Sequence, residues 1–280
     1  MNFLLYPVSR FTERSVEMKL NHDLHVHTYL SACCADKVNH KPAPILDLAR
    51  RMNLSTLGFA DHVWMNPDLT PSGWYRPQDA SQIARLRQDL ASLASPGLRV
   101  LVGCEADTVA PGKFSITPRF AESLDFVLLA CSHLHMNGFV VQPPSRAPHD
   151  LAAHMISLFR SAVSSGFATS IPHPLLPIGY MDLFDAAIAS CSDNELFDLF
   201  SFTAHRGVAL EITVGFLPSE KNPFSLETPI RFLSIARRAG CKFTFATDAH
   251  SPDDQRRLPE LARLVDPLEL TPDDLLPLVR

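Results

Sequence analysis

The sequence predicts an α/β fold, either a (β/α) barrel or a doubly wound sheet, and three observations support that prediction. Short apolar runs alternate seven times with longer amphipathic runs, as expected for parallel strands joined by helices. The 280 residues suit one large α/β domain, because single barrels commonly reach this length. No linker or internal repeat divides the chain, which predicts a single domain.

The predicted strands are short apolar runs in which β-branched and aromatic residues are frequent. In chain order they cover residues 24–28, 57–61, 99–105, 126–132, 169–172, 207–213 and 242–247. The predicted helices lie between them and cover residues 43–52, 77–95, 148–165, 193–205, 228–239 and 254–264. Gly166 and Gly240 each follow a helix and precede a strand, where a left-handed C-terminal cap favours glycine.

Three segments fall outside this repeat. Residues 1–20 are predicted to be an N-terminal extension, so the domain itself spans residues 21–280. Residues 64–78 and 136–149 contain prolines and are predicted to be long loops at the mouth of the barrel.

Composition and charge exclude several classes of function. The net charge is −5, from 25 basic and 30 acidic residues without a dense basic run, which argues against a nucleic-acid or anionic-lipid surface. No apolar stretch approaches the roughly 18 residues that a membrane span needs, and the first apolar run is too short for a secretory signal. We therefore expect a cytoplasmic protein. Its six scattered cysteines are expected to be reduced thiols.

A polar residue of unusual type stands at the end of every predicted strand or directly after it. The residues at these seven positions are His25 and His27, Asp61 and His62, Glu105, His133, His173, Glu211, and Asp248 and His250. Alternate side chains of a strand share a face, so His25 and His27 are expected to point together while Leu24 and Val26 point toward the helices. Functional groups of parallel α/β barrels collect at the C-terminal rim, which predicts one shared pocket.

These imidazoles and carboxylates predict a metal site. A buried ring of such groups is costly without a positive partner, and divalent zinc, manganese or iron would provide one. Taken singly, the residues have ordinary interpretations. Two histidines at this spacing often decorate a surface strand, Asp61 could cap a helix, and Glu105 could form a salt bridge. A candidate ligand at seven successive strand ends is harder to explain in that way.

Other residues are weaker candidates for the site. His135 lies two residues beyond His133 and could take its place as a ligand. Glu211 could contact substrate, support a ligand or form a buried ion pair. Arg119 and Arg146 lie in predicted rim segments and could hold an anion, although surface arginines are common.

The motifs resemble those of the polymerase and histidinol phosphatase (PHP) family of metal-dependent phosphoesterases. Asp23-Leu24-His25-Val26-His27-Thr28 is similar to the first motif of that family, and the similarity extends over nearly the whole chain. The later motifs are Gly58-Phe59-Ala60-Asp61-His62, Gly103-Cys104-Glu105, Ser132-His133, Pro172-His173-Pro174 and Thr247-Asp248-Ala249-His250-Ser251. The resemblance implies a distorted (β/α)7 barrel, similar to a TIM barrel, with two or three divalent ions.

The resemblance also implies a ligand set. By position, His25, His27, Glu105 and Asp248 would hold one ion, and Glu105 would bridge to a second ion held by His133 and His173. His62, His250 and the residue six after His27 would hold a third ion. That residue is Cys33, where many relatives have His or Asp. A thiolate suits zinc or iron better than manganese, and the adjacent Cys34 is an alternative ligand.

The resulting hypothesis is a phosphoesterase of the histidinol phosphatase type, acting on a small phosphate ester with metal-activated water at a multinuclear site. Glu105 would bridge two ions, and His250 or His62 would protonate the leaving group if metal does not engage it fully. Two alternatives stay open. One is an amidohydrolase-type enzyme that cleaves C–N or C–O bonds. The other is a catalytically silent metal-binding barrel that serves as a partner module.

Overall fold

A computed structural model describes residues 18–220 and 222–280. The predicted N-terminal extension, residues 1–20, lies outside the described residues except for its last three. The described part is an α/β structure with parallel sheets, as the alternating pattern predicts. No helix within it is long and apolar enough to cross a membrane.

The strands form two hydrogen-bonded sheets. In chain order they are β1 (His22–Val26), β2 (Thr56–Phe59), β3 (Arg99–Val102), β4 (Cys104–Ala110), β5 (Lys113–Phe114), β6 (Val127–Ala130), β7 (Ser170–Ile171), β8 (Ala209–Thr213) and β9 (Phe243–Ala246). One sheet has the order β1-β2-β3, and the other has the order β5-β4-β6-β7-β8-β9. Neighbouring strands are parallel except for the hairpin of β4 and β5.

Isolated parallel bridges join the two sheets at two places. Val26 bridges Ala249 just beyond β9, where the amide of His27 donates to the carbonyl of Ala249 at 3.0 Å. His62, just beyond β2, bridges Glu105 of β4. The bridges bring the C-terminal ends of β1, β2 and β9 close to Glu105, near the start of β4.

The predicted strand 99–105 is corrected by the structure, because it is divided at Gly103 into β3 and β4. A Cβ atom at Gly103 would lie 2.5 Å from the carbonyl oxygen of Phe126, so only glycine allows this close approach of the two backbones. The interruption lies two residues before Glu105. Glu105 is therefore on the separate strand β4, which continues to Ala110.

The helices pack on the sheets through their apolar faces. They are α1 (Pro42–Arg51), α2 (Ala80–Ala91), α3 (Pro118–Ala121), α4 (Pro148–Val163), α5 (Phe184–Ala189), α6 (Asp193–His205), α7 (Glu227–Arg238), α8 (Pro252–Gln255) and α9 (Ala262–Leu268). Short 3-10 helices cover Met181–Leu183, Val214–Phe216, Leu258–Leu261, Pro272–Asp274 and Pro277–Val279. Gly166 after α4 and Gly240 after α7 have φ angles of 82° and 86°, which confirms the two predicted left-handed caps.

The prediction of one helix over residues 254–264 was wrong. This span contains the end of α8, a 3-10 helix and the start of α9. Pro259 lacks the N–H that a continuing helix would use, and it begins a new turn instead. The short elements α3, α5 and β5 were not predicted, because four to six residues, or two in β5, carry too little periodicity to detect.

The core lies between the strands and the helices. Leu24 and Val26 of β1 are fully buried in it, as the predicted alternation of the strand requires. Large side chains such as Phe59, Phe126 and Phe159 are also fully buried. The side chains that alternate with these apolar residues at the strand ends are the polar ones of the candidate site.

Candidate metal centre

His25 and His27 meet at the end of β1. Their Nε2 atoms are 3.1 Å apart, which confirms the predicted shared face. Asp23 fixes the strand beneath them, because its carboxylate accepts hydrogen bonds from the backbone N–H and the hydroxyl of Thr247. These bonds join β1 to the segment that follows β9, which carries Asp248.

The first group of donor atoms consists of His25, His27, Glu105 and Asp248, as the resemblance implies. The Nε2 atoms of His25 and His27 lie 3.3 and 3.4 Å from Oε2 of Glu105. They lie 3.4 and 3.2 Å from Oδ1 of Asp248. Four ligands at bond lengths of about 2.0–2.1 Å around a tetrahedral ion would be separated by about 3.3–3.4 Å. The spacing of this group therefore fits a divalent cation.

The second group consists of Glu105, His133 and His173. Oε1 of Glu105 lies 3.4 Å from Nε2 of His133 and 3.0 Å from Nε2 of His173. Glu105 thus presents one oxygen to each group. His133 takes part in the cluster, whereas His135 lies beside it with a ring-to-ring distance of 5.5 Å.

The third group contains Cys33 and His62, but it differs in one donor from the set that the resemblance implies. The donor atoms of Cys33 and His62 lie within 4.8 Å of one another and of His27, rather than of His250. The His250 ring stacks on His27 at 4.3 Å. Cys34 is directed elsewhere, because its thiol donates to backbone carbonyls, including that of His250 at 3.2 Å.

All six imidazoles at the site are hydrogen-bonded through Nδ1. The pairs are His25 with Glu211 (2.8 Å), His27 with Ser31 (3.1 Å), His62 with Tyr75 (3.2 Å), His133 with Asp107 (2.7 Å), His173 with Ser132, and His250 with the carbonyl of Asp248 (2.8 Å). Such a partner fixes the tautomer and the orientation of a metal-binding histidine and leaves Nε2 to bind the ion.

Two buried aspartates determine which atom donates in the two longest of these hydrogen bonds, those of His27 and His62. The hydroxyl of Ser31 donates to Asp61 at 2.8 Å, so it accepts from Nδ1 of His27. The hydroxyl of Tyr75 donates to Asp107 and in the same way accepts from Nδ1 of His62. We infer that Nε2 of both histidines carries a lone pair toward the site, as a metal ligand requires.

The charges of the centre are strongly coupled. Burial opposes protonation of His25, but the carboxylates of Glu211, Asp248 and Glu105 raise its pKa well above the ordinary value. Burial likewise opposes ionisation of Glu105, yet the imidazoles of His62, His25 and His133 hold its pKa well below the usual range. Asp107 and Glu105 overcome the burial of His133 and raise its pKa to about 9.

Two residues of the donor groups have a left-handed backbone conformation. The φ angle is 31° at His173 and 53° at Asp248, values that residues other than glycine adopt uncommonly. Such conformations cost about 1–3 kcal/mol and cluster at functional sites. Here they direct two donor side chains from the ends of β7 and β9 toward Glu105.

A cavity of about 180 Å³ opens onto the centre. Its walls include Glu105, Asp248, His250, His62 and Cys33. A larger open groove of about 950 Å³ lies between α1 and α2, but it contains none of the proposed ligands.

The three residues predicted to contact substrate lie elsewhere. Glu211 is fully buried behind His25 and also accepts the backbone N–H of His173 at 3.2 Å, so it supports the cluster from outside the cavity. Arg119 is exposed on α3. Arg146 is exposed and pairs with Asp182 at 2.8 Å, and neither arginine lines the cavity.

Sequence reasoning missed most of the residues that support the imidazoles. Asp107 had a usable signal, because it lies two residues after Glu105 on the same face of β4, the spacing that identified His25 and His27. Ser31 and Tyr75 had none, because they lie in loops whose path the sequence does not reveal.

The donor set suits a divalent cation on its chemistry as well as its spacing. It combines imidazole nitrogens and carboxylates with one thiol, which are the ligands that zinc and iron accept. Each imidazole is already oriented through Nδ1. The chain is thus an α/β protein with a candidate metal centre close to the ends of its parallel strands.

Comparisons with known proteins support the fold. No protein-family model matches the sequence, and no curated protein matches it either. A candidate histidinol phosphatase from Listeria monocytogenes matches with a TM-score of 0.58 and 12% identity, covering 83% of this chain and 96% of its own. Histidinol phosphate phosphatase from Lactococcus lactis subsp. lactis Il1403, complexed with zinc, L-histidinol and phosphate, matches with a TM-score of 0.50 and 16% identity. That match covers 88% of this chain and 93% of the other.

Proposed function

We propose that this chain is a metal-dependent phosphatase that hydrolyses a small phosphate monoester. The observation that carries the proposal is the position of Glu105, whose two oxygens face two groups of imidazole nitrogens at 3.0–3.4 Å. A carboxylate shared in this way suits a pair of divalent ions, and paired ions are typical of phosphatases. The Lactococcus lactis phosphatase, which binds zinc, L-histidinol and phosphate, supports the same chemistry.

Each residue of the donor groups has a role in this proposal. His25, His27, Glu105 and Asp248 would hold one ion, and Glu105, His133 and His173 a second. Cys33 and His62 would contribute to a third position. Bound zinc, manganese or iron would activate water and neutralise charge on the phosphoryl group.

The residues at the cavity have further proposed roles. His250 lines the cavity, and its Nδ1 is engaged by the carbonyl of Asp248, so Nε2 is the ring nitrogen left to protonate the leaving oxygen. His62 is the second candidate for that proton transfer. Glu211 would position His25, since its carboxylate is buried behind that ring. A substrate-binding role for the exposed Arg119 and Arg146 lacks support from their positions.

The proposal includes the finer description of the fold. We infer a single domain over residues 21–280 in which the strands form a distorted (β/α)7 barrel of the PHP type. The bridges from Val26 to Ala249 and from His62 to Glu105 support this inference, because they link the two sheets at two places. The centre at the C-terminal strand ends agrees with the usual active-site position in parallel barrels.

Metal removal and replacement test the proposal. Protein stripped by exhaustive chelation should lose activity on simple phosphate monoesters and recover it with manganese or zinc. Glu105→Gln should lose both activity and more than one bound ion, because it removes a charge shared by two groups. The exposed Glu122→Gln is the matched control and should retain both. Full activity after chelation would rule out the proposed chemistry.

A panel of substrates separates this function from the amidohydrolase alternative. Phosphate monoesters, carboxylic esters, lactones and amides are assayed with the same metal-loaded protein. Turnover of phosphate monoesters alone supports the proposal, whereas turnover of amides or lactones alone supports the alternative. Stoichiometric metal without turnover of any compound supports a silent metal-binding module.

A further inference from the structure

The cavity at the metal centre has two chemically different walls. One wall contains side chains of the donor groups together with His135 and His250, and the other contains Trp74, Met136 and Ile178. We propose that this second wall is the subsite for the leaving group, and that it selects phosphate monoesters of small alcohols with a compact apolar or aromatic group. This inference rests on the proposed function and makes Trp74 a specificity-determining residue.

Trp74 is held in place although its side chain is 36% exposed. Its ring packs edge-on against His62 at 5.0 Å and against Tyr75 at 4.8 Å. Tyr75 is fully buried and is itself fixed by Asp107. A large apolar ring that is both fixed and accessible next to a polar centre is suited to packing against a ligand.

Two other loops complete the apolar wall. Ile178 is fixed by its backbone, whose N–H donates to the carbonyl of Ser132 at 3.2 Å. Gly179 has a φ angle of 105°, and a Cβ atom there would lie 2.8 Å from the backbone nitrogen of His135. This close contact, which only glycine permits, places the loop of Ile178 directly against the loop of Met136.

Size and charge narrow the substrate class. A cavity of about 180 Å³ is smaller than the roughly 300–1,000 Å³ of pockets that enclose drug-sized ligands. No lysine or arginine is among the described residues that line it. Nucleoside polyphosphates, which need room for a base and cations for additional phosphates, therefore fit poorly. A single phosphoryl group with a compact apolar alcohol fits both walls.

Binding of paired phosphonates tests the subsite without turnover. Benzylphosphonate and methylphosphonate are titrated calorimetrically into the metal-loaded protein and its variants. We expect the native protein to bind benzylphosphonate about tenfold more tightly than methylphosphonate. Trp74→Ala should reduce this ratio to below about threefold, and Trp74→Phe should retain most of it. Phe197→Ala removes a similarly exposed ring on α6 and should keep the native ratio.

Hydrolysis of phenethyl phosphate and glycerol phosphate provides the second measurement. The ratio of their kcat/KM values should follow the binding ratio in each variant, while the bound metal content stays constant. The inference is overturned if the native protein binds the two phosphonates equally or binds neither of them. It is also overturned if Trp74→Ala keeps the native ratio of the two affinities. A binding preference without hydrolysis of either ester would instead overturn the proposed function and leave the subsite standing.

Discussion

Replacement of Glu211 by glutamine should weaken metal binding although the side chain touches no proposed ion. The two oxygens of Glu211 accept from Nδ1 of His25 at 2.8 Å and from the backbone N–H of His173 at 3.2 Å. An amide provides one oxygen and one NH2 group, so one of these two donors would face another donor. If the NH2 group faces Nδ1 of His25, the ring must carry its proton on Nε2 instead, and a protonated Nε2 cannot bind metal.

The structure gives the expected magnitude. Leaving a buried donor unpaired costs about 1–3 kcal/mol. Loss of a group that orients a metal ligand typically reduces metal affinity about 10–100-fold, which corresponds to about 1.4–2.7 kcal/mol. The two ranges agree, so we expect Glu211→Gln to bind its first zinc ion about 10–100-fold more weakly than the native protein.

Zinc affinity is measured by competition with a chromophoric chelator, together with the number of ions bound per chain. Glu211→Ala removes both acceptors and should be weaker still, whereas the exposed Glu122→Gln should match the native protein. Circular dichroism checks that each variant is folded. Native zinc affinity in a folded Glu211→Gln variant would refute the role of this carboxylate in orienting His25.

Three further predictions concern other parts of the chain. Cobalt-loaded protein should show a thiolate-to-metal charge-transfer band, which should be absent from Cys33→Ser and present in Cys34→Ser. A band that survives in Cys33→Ser would exclude Cys33 as a ligand. Tyr75→Phe should lower metal affinity about tenfold or more by chelator competition, because it removes the partner of one imidazole, and unchanged affinity would contradict that role. Burial lowers the pKa of His22 to about 3, so the unfolded chain takes up a proton below pH 6.5 that the folded chain does not. Between pH 7 and pH 5, the unfolding free energy of the metal-free native protein should therefore fall by about 2 kcal/mol more than that of His22→Gln. The control is His205→Gln, which changes an exposed histidine and should show the same fall as the native protein. Equal falls in the native protein and in His22→Gln would refute this prediction.

The sequence was most informative about the side chains whose direction a strand dictates. Alternation on β1 places His25 and His27 on one face, and their Nε2 atoms are 3.1 Å apart. His62 and Asp248 follow the ends of β2 and β9, and parallel topology brings these ends close to Glu105 at the start of β4. Position alone therefore identified these candidates.

Features that depend on loop paths or on single backbone contacts were not predictable in the same way. Tyr75 reaches Asp107 from a loop far along the chain, and no periodic pattern marks such a contact. The break at Gly103 depends on the approach of Phe126, which becomes visible only when both strands are placed. The assignment of Cys33 rather than Cys34 to the cluster depends in the same way on a turn between β1 and α1.

The supporting residues explain how so many charged groups share one buried site. Glu105, Asp107 and Glu211 are almost fully buried, and each is paired with at least one imidazole. In the absence of a cation, protons on these imidazoles must balance the carboxylates, which is why the pKa values of His25 and His133 are raised. A divalent ion held by the Nε2 atoms would take the place of such protons, while the Nδ1 bonds would keep the rings oriented, so the same arrangement could balance the charge with or without the ion.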